Sequence, residues 1–202
     1  SLYYYNKAVY EYEDDPCLFV DRGKVYNEKG MRREAMADFN KALELDASSS
    51  DSYLNRGLTY AREGKFEEAI ADYDRSIELD PKNAENINNM GGVLLELGRF
   101  DAAEQCFRQA LAVKNGYITA CSNLLFVLNY TASHSTIECL EQAQTYGRLI
   151  TQQVTARHTA WHCANAPERL RVGLISGDLC NHPVAYALES LLEQIDPTRI
   201  EL

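Results

Sequence analysis

No stretch of this chain approaches the eighteen or so consecutive apolar residues of a membrane-crossing helix, so its 202 residues hold no candidate span. Positive charge is also scarce. With 20 lysines and arginines against 30 aspartates and glutamates, the formal net charge is -10, the wrong sign to neutralise phosphates, which removes nucleic acid from the expected partners. The six cysteines, Cys17, Cys106, Cys121, Cys139, Cys163 and Cys180, show no CxxC pairing; their simplest reading is as reduced thiols of a cytoplasmic protein. His158 and His162 stand four apart, but Thr159 and Ala160 fall where a zinc protease carries its glutamate. A polar linker is the better reading there, and no metal site is expected. No secretory signal is visible.

What the chain does have is a period. Shifted by thirty-four residues it falls on itself: Gly23, Gly57 and Gly91 superpose, as do Gly30, Gly64 and Gly98, then Ala35, Ala69 and Ala103, then Phe39, Tyr73 and Phe107. Tyr26, Tyr60 and Leu94, and Leu43, Ile77 and Leu111, extend the match. This period predicts a helix–turn–helix array, an extended surface for holding another chain rather than a closed pocket. The first glycine column lets the second helix of each pair approach closely, and that packing offsets a helix-propensity cost of about 1 kcal/mol per glycine. The second glycine column predicts a left-handed C-cap. Alanines give the second helix a small face, and the aromatic column is expected to fill the gap toward the next repeat. Pro81, after Glu78-Leu79-Asp80, stops its helix; Ala47 and Asn115 stand in the equivalent places, so a weaker stop is expected there.

These columns resemble the tetratricopeptide family from about Pro16 to Asn115. Full repeats are predicted over 16–49, 50–83 and 84–117. A partial repeat over 1–15 matches a second helix through Tyr5, Ala8 and Val9, and a half repeat over 118–130 has Leu124 and Leu125 where the glycine would stand. The chain opens at Ser1 inside a structural unit and is read as a fragment. Acidic pairs such as Asp14-Asp15 and Glu67-Glu68 read as solvated outer faces.

One polar column is more pointed. Asn55, Asn89 and Asn123, with Asp21 at the equivalent place of the first repeat, lie on first helices, which line the inner wall of such arrays. A side-chain amide both donates and accepts, matching the backbone of an extended peptide whatever its side chains. A ladder of this kind would grip many acceptor polypeptides. The alternative is that these asparagines bridge neighbouring repeats.

Beyond Tyr130 the period stops, and residues 131–167 are predicted to hold a capping helix and a connector. The helix runs from Thr136 to about Val154, with Ser135 and Glu138 as a capping box and Ile137, Leu140, Ala143, Gly147, Ile150 and Val154 on the face that packs on the last repeat. The connector, Thr155 to Pro167, contains the only tryptophan, Trp161. From Arg169, the run Leu170 to Ser176 predicts a buried strand, Val184 to Ile195 a helix, and Arg199 to Leu202 a second strand. Residues 168–202 thus read as the opening of a βαβ unit. His182-Pro183 would place a histidine at the helix entrance, on the carboxyl side of the strand, where the helix dipole favours a neutral imidazole.

The segment RLRVGLISGDLCNHPVAYALESLLEQIDPTRIEL resembles the first strand, loop and helix of the catalytic region of the O-linked N-acetylglucosamine transferase family, its SPINDLY-like members in particular. That family places a tetratricopeptide superhelix before two Rossmann-like lobes. The resemblance implies a mainly α chain: a tetratricopeptide α-solenoid followed by the first βα(β) piece of a Rossmann-like glycosyltransferase lobe, truncated at 202. It implies an inverting protein O-glycosyltransferase as parent, moving N-acetylglucosamine or a related sugar such as fucose to Ser or Thr of proteins. His182 would be an active-site contact, with general base as one role and helix capping as the bland alternative. The donor, UDP-N-acetylglucosamine in the plainest case, would bind mainly through a second lobe that this chain lacks, so the fragment is expected to be inactive and to hold no cofactor. Ser176, Gly177 and Asp178 do not make a GxGxxG loop. The competing reading is a non-enzymatic tetratricopeptide scaffold.

Overall fold

The computed structural model describes residues 2–131 and 134–153, together with two short strands at 170–171 and 200–201. Among these, nine helices follow one another: α1 (Leu2–Glu11), α2 (Pro16–Glu28), α3 (Arg32–Leu45), α4 (Ser50–Arg62), α5 (Phe66–Leu79), α6 (Ala84–Glu96), α7 (Phe100–Val113), α8 (Ile118–Val127) and α9 (Thr136–Gln153). First helices begin at Pro16, Ser50, Ala84 and Ile118 and second helices at Arg32, Phe66 and Phe100, each thirty-four residues after its predecessor.

Local chemistry fixes these boundaries. Asp15, Ser49 and Asn83 form an N-cap column in which the side-chain oxygen accepts from the backbone N–H of Cys17, Ser52 and Asn86 respectively. At the other end, Gly30, Gly64 and Gly98 adopt φ of 75°, 75° and 71°, and the residue after each glycine donates its N–H to the carbonyl of Tyr26, Tyr60 or Leu94. These are Schellman closures. The weaker stop expected at Ala47 and Asn115 is not seen: α3, α5 and α7 end at Leu45, Leu79 and Val113, one column, with or without proline. In the first two, Asp46 and Asp80 stop the helix by accepting from the N–H of Ser48 and Lys82 two residues on.

The glycine and aromatic columns form a single contact. A methyl group at Gly23 would lie 2.5 Å from the Phe39 ring, at Gly57 3.0 Å from Tyr73, and at Gly91 2.6 Å from Phe107. The ring therefore seats first on the glycine of its own repeat. Toward the following repeat, Tyr73 shares a core cluster with Val93, and Phe107 with Leu124. Ala35, Ala69 and Ala103 are fully buried beneath them.

Two further pairings, unread in the sequence, tie the first two full helix pairs together. Asp38 accepts from Arg22 at 2.8 and 2.6 Å, and Asp72 accepts from Arg56 at 2.7 and 2.7 Å. Each arginine also donates backwards, Arg22 to Asn6 and Arg56 to Asn40, so one guanidinium joins successive repeats. Between repeats, Asn27 donates to Thr59 at 2.7 Å, and Asn86 donates to Ser76, which in turn donates to the Ser50 carbonyl. First helices touch each other, α2 with α4, α4 with α6 and α6 with α8, whereas α3, α5 and α7 do not. The array therefore curves with its first helices on the inside.

The face of α9 differs from the expected one. Ile137 and Leu140 are 70% and 56% exposed, and Gly147 faces open space. Cys139, Gln142, Tyr146 and Leu149 form the half-buried face, with Ala143 and Ile150 at its edge. Leu149 packs beside Gly116, and Cys139 against the α7–α8 core. Val154 lies outside the described residues. Glu138 does receive its N–H cap from Ser135 at 3.2 Å.

The chain divides into two compact units, Ser1–Thr155 and Ala156–Leu202. In the second, β1 (Leu170–Arg171) and β2 (Ile200–Glu201) pair in parallel, Leu170 opposite Ile200 and Arg171 opposite Glu201. The helix predicted between them lies outside the described residues, as do His158, Trp161, His162, Cys163, Cys180 and His182.

Candidate functional site

Because α4, α6 and α8 turn their inner faces together, the array encloses an open cleft of about 470 Å³ lined by residues of these three helices and the edge of α5. Asn89 and Asn123 face it. So does Asn88, which the periodicity did not single out, because Leu54 and Ser122 hold its equivalent places. Leu58, Gly92 and Val93 give the floor an apolar strip, and Arg62 and Glu96 stand at its rim.

The three asparagines of the predicted column are not equivalent. Asn123 donates to Asn88 Oδ1 at 3.1 Å, joining α8 to α6. Here the bridging alternative holds. Asn55 turns its amide back onto the Asp51 carbonyl at 2.7 Å and does not line the cleft. Asn89, half-buried, lines the cleft and makes no side-chain hydrogen bond among the described residues. At the first-repeat place, Asp21 lies 3.7 Å from Lys24, which also reaches Asp51 at 3.5 Å. A charged bridge thus replaces the amide at that end of the groove.

The cleft is lined mainly by amide and apolar side chains. Tyr73, beneath it, has its phenol pushed well above the ordinary value, first by burial, with Arg62 pulling the other way, so it stays neutral. Among the described residues no three His, Cys, Asp or Glu side chains gather to hold a metal. No described helix is long and apolar enough to cross a membrane. Described cysteines Cys17, Cys106, Cys121 and Cys139 are all unpaired thiols.

Residues 47–116 match the family profile described as Tetratricopeptide repeat, and residues 23–64 match one described as TPR repeat. The chain carries tetratricopeptide repeats. No match is found among curated proteins. Among solved structures, a mutant O-GlcNAc transferase from Thermobaculum terrenum is similar with a TM-score of 0.71 and 26% identity, over 92% of this chain and 36% of that one. MamA is similar with a TM-score of 0.67 and 19% identity, over 75% of this chain and 87% of that one. The first TPR domain of Spaghetti, bound to an HSP90 peptide, has a TM-score of 0.57 and 20% identity over 59% of this chain and 94% of its own. At such identities the last two show the fold alone.

Proposed function

We propose that this chain is the acceptor-holding part of a protein O-glycosyltransferase, its inner groove gripping an extended polypeptide whose serine or threonine hydroxyl takes N-acetylglucosamine or a related sugar from a nucleotide donor. The observation that carries this reading is the likeness to the Thermobaculum terrenum transferase. Its coverage of 92% of this chain reaches past the first unit, which ends at Thr155. The parallel pairing of β1 with β2 agrees with a βαβ opening, since parallel neighbours need a crossover between them. The amides of Asn88 and Asn89 beside an apolar strip suit a peptide backbone read without regard to sequence. Of the proposed acceptor contacts Asn55, Asn89 and Asn123, Asn89 is the direct one, Asn123 acts beside it through Asn88, and Asn55 is met only by a polypeptide that runs on past α4. His182 is the proposed active-site contact, with general base as its role.

The test uses the longest protein that carries this chain. With UDP-N-acetylglucosamine and a serine-containing acceptor polypeptide it should transfer the sugar, and His182→Ala should abolish turnover without weakening acceptor binding. Undiminished transfer by His182→Ala rejects the histidine's role, and no transfer from any nucleotide-sugar rejects the enzyme. A plain interaction scaffold is the second reading, favoured by the two matching family profiles, which describe repeats and no catalytic region. Under that reading polypeptides bind to the groove and no sugar moves.

A further inference from the structure

Four ionisable side chains close a ring between α7 and the start of α9. Glu104 accepts from Arg108 Nε at 2.8 Å through Oε1, and its Oε2 lies 2.8 Å from His134 Nε2. Glu138 accepts from Arg108 Nη2 at 2.7 Å through Oε1, and its Oε2 lies 3.1 Å from His134 Nδ1. Each carboxylate turns one oxygen to the arginine and the other to the histidine. A neutral imidazole has a single N–H and a carboxylate only accepts, so in that state one of the two histidine contacts would set acceptor against acceptor. Imidazolium satisfies both. It also balances the ring, two negative groups against two positive, at a place where the His134 and Glu104 side chains are only 13% and 12% exposed.

We propose that Glu104, Arg108, His134 and Glu138 form a proton-operated clasp, which holds α9 against α7 while both ring nitrogens of His134 carry protons and loosens it when one proton leaves.

Little else binds these two helices. The backbone of α9 runs beside α8, and α7 reaches it through side chains. Cys139 enters the α7–α8 core, but its neighbours Ile137 and Leu140 turn to solvent. A helix whose apolar residues point outward near its start is oriented there by its polar contacts, and in this ring every polar contact depends on charge. α8 carries no charged residue, so among the described residues the charged groups around the imidazole are Glu104 and Arg108 from α7 and Glu138 from α9.

The proton affinities have the required signs. Hydrogen bonds to Glu104 and then Glu138 raise His134 above its ordinary 6.5. Burial pushes Glu104 up, yet Arg108 and His134 together bring it below its ordinary 4.5, while His134 and Arg108 lower Glu138 likewise. A raised histidine stabilises the docked helix fully below 6.5 and loses that contribution as pH climbs through its folded value. Lowered carboxylates contribute above 4.5 and lose it as pH falls through theirs. The clasp is tightest between the two limits.

Hydrogen exchange on the full chain, corrected for intrinsic rates, tests this from about pH 6 to about pH 9, together with imidazole ¹⁵N shifts of His134. At the acid end both ring nitrogens should be protonated, and protection of the α9 amides should fall about tenfold as His134 titrates, while α4 to α7 hold theirs. His134→Gln should show the high-pH exchange of α9 throughout. Glu104→Gln should move the His134 midpoint and the α9 transition to lower pH together. Flat α9 protection across the His134 titration overturns the clasp, as does an α9 transition that persists in His134→Gln or stays in place in Glu104→Gln.

Discussion

Gly91 and Phe107 meet so closely that a methyl group on the glycine would sit 2.6 Å from Cε1 of the ring. Their counterparts Gly23 and Phe39 stand tighter still, at 2.5 Å, and Gly57 and Tyr73 looser, at 3.0 Å. Absence of a side chain on one helix is thus the seat for the largest side chain on the other. Phe107 is fully buried there, in a cluster with Leu94 and Leu124, so it has no empty space to swing into.

Adjacent glycines of α6 should therefore respond with opposite signs to the same change. Gly91→Ala gains about 1 kcal/mol of helix propensity but must push aside a buried ring at a cost of roughly 1–3 kcal/mol, a net loss. Gly92→Ala meets nothing within 4 Å and should stabilise by about 0.5–1 kcal/mol. Gly57→Ala, with its looser ring, should fall between. Urea unfolding of the three variants checks the order; equal effects at Gly91 and Gly92 would show that the ring does not confine the first.

Asp72 should be the most sensitive charged residue of the second repeat. It is 8% exposed and takes both bonds of the Arg56 fork, whose affinity for its proton is raised above the usual value chiefly by that hydrogen bonding. Removing one partner of a fully buried pair costs roughly 3–5 kcal/mol. Arg56 keeps 21% of its side chain in solvent, so screening reduces the expected loss for Asp72→Ala to about 2 kcal/mol. In the third repeat, Met90 and Cys106 occupy the places of Arg56 and Asp72, and Cys106→Ala should cost about 1 kcal/mol. Thermal or urea unfolding of the two single variants and of Asp72→Ala with Arg56→Met separates pairing from packing.

The legibility of this fold follows from how repeats store information. Gly57, Ala69 and Tyr73 occupy one packing site, and that site recurs every thirty-four residues, so a shift of the sequence against itself exposed the helix pairs and the left-handed glycines. The Arg22–Asp38 and Arg56–Asp72 pairs obey the same shift and went unread because the third repeat replaces both members. Asn88 was invisible to it, since its importance arises from a contact with Asn123 one repeat and one residue away. In α9, apolar spacing suggested one buried face. Its orientation follows instead from Cys139 entering the core and from the ring around His134, long-range contacts that periodicity does not encode.

The described thiols should separate by reagent. Cys121 is 1% exposed and burial raises its pKa, while Cys106 is raised by burial and then by the nearby Asp74 carboxylate. Cys17 is exposed at the start of α2. Near neutral pH, iodoacetamide should modify Cys17 at least about tenfold faster than Cys121, with Cys106 between, because thiolate and access are both required. Mass spectrometry of tryptic peptides over time gives the three rates, and a Cys121 rate matching that of Cys17 would mean that α8 is not seated in the core.

Single asparagine variants should divide the proposed ladder by role. Asn89 faces the cleft with no internal side-chain hydrogen bond among the described residues, so Asn89→Ala should leave stability within about 0.5 kcal/mol while weakening the binding of extended polypeptides. Losing one or two hydrogen bonds to a backbone corresponds to about 1–2 kcal/mol, or roughly five- to thirtyfold in affinity. Asn123→Ala should cost stability as well, because Asn88 is 5% exposed and would lose the amide that its carbonyl accepts. Asn55→Ala, whose amide is tied to Asp51 outside the cleft, should bind as the unaltered protein does unless a ligand runs on past α4. Fluorescence anisotropy with several unrelated unfolded peptides, paired with urea unfolding, measures both quantities. A loss at Asn89 that differs strongly from peptide to peptide would mean that this residue reads side chains rather than backbone.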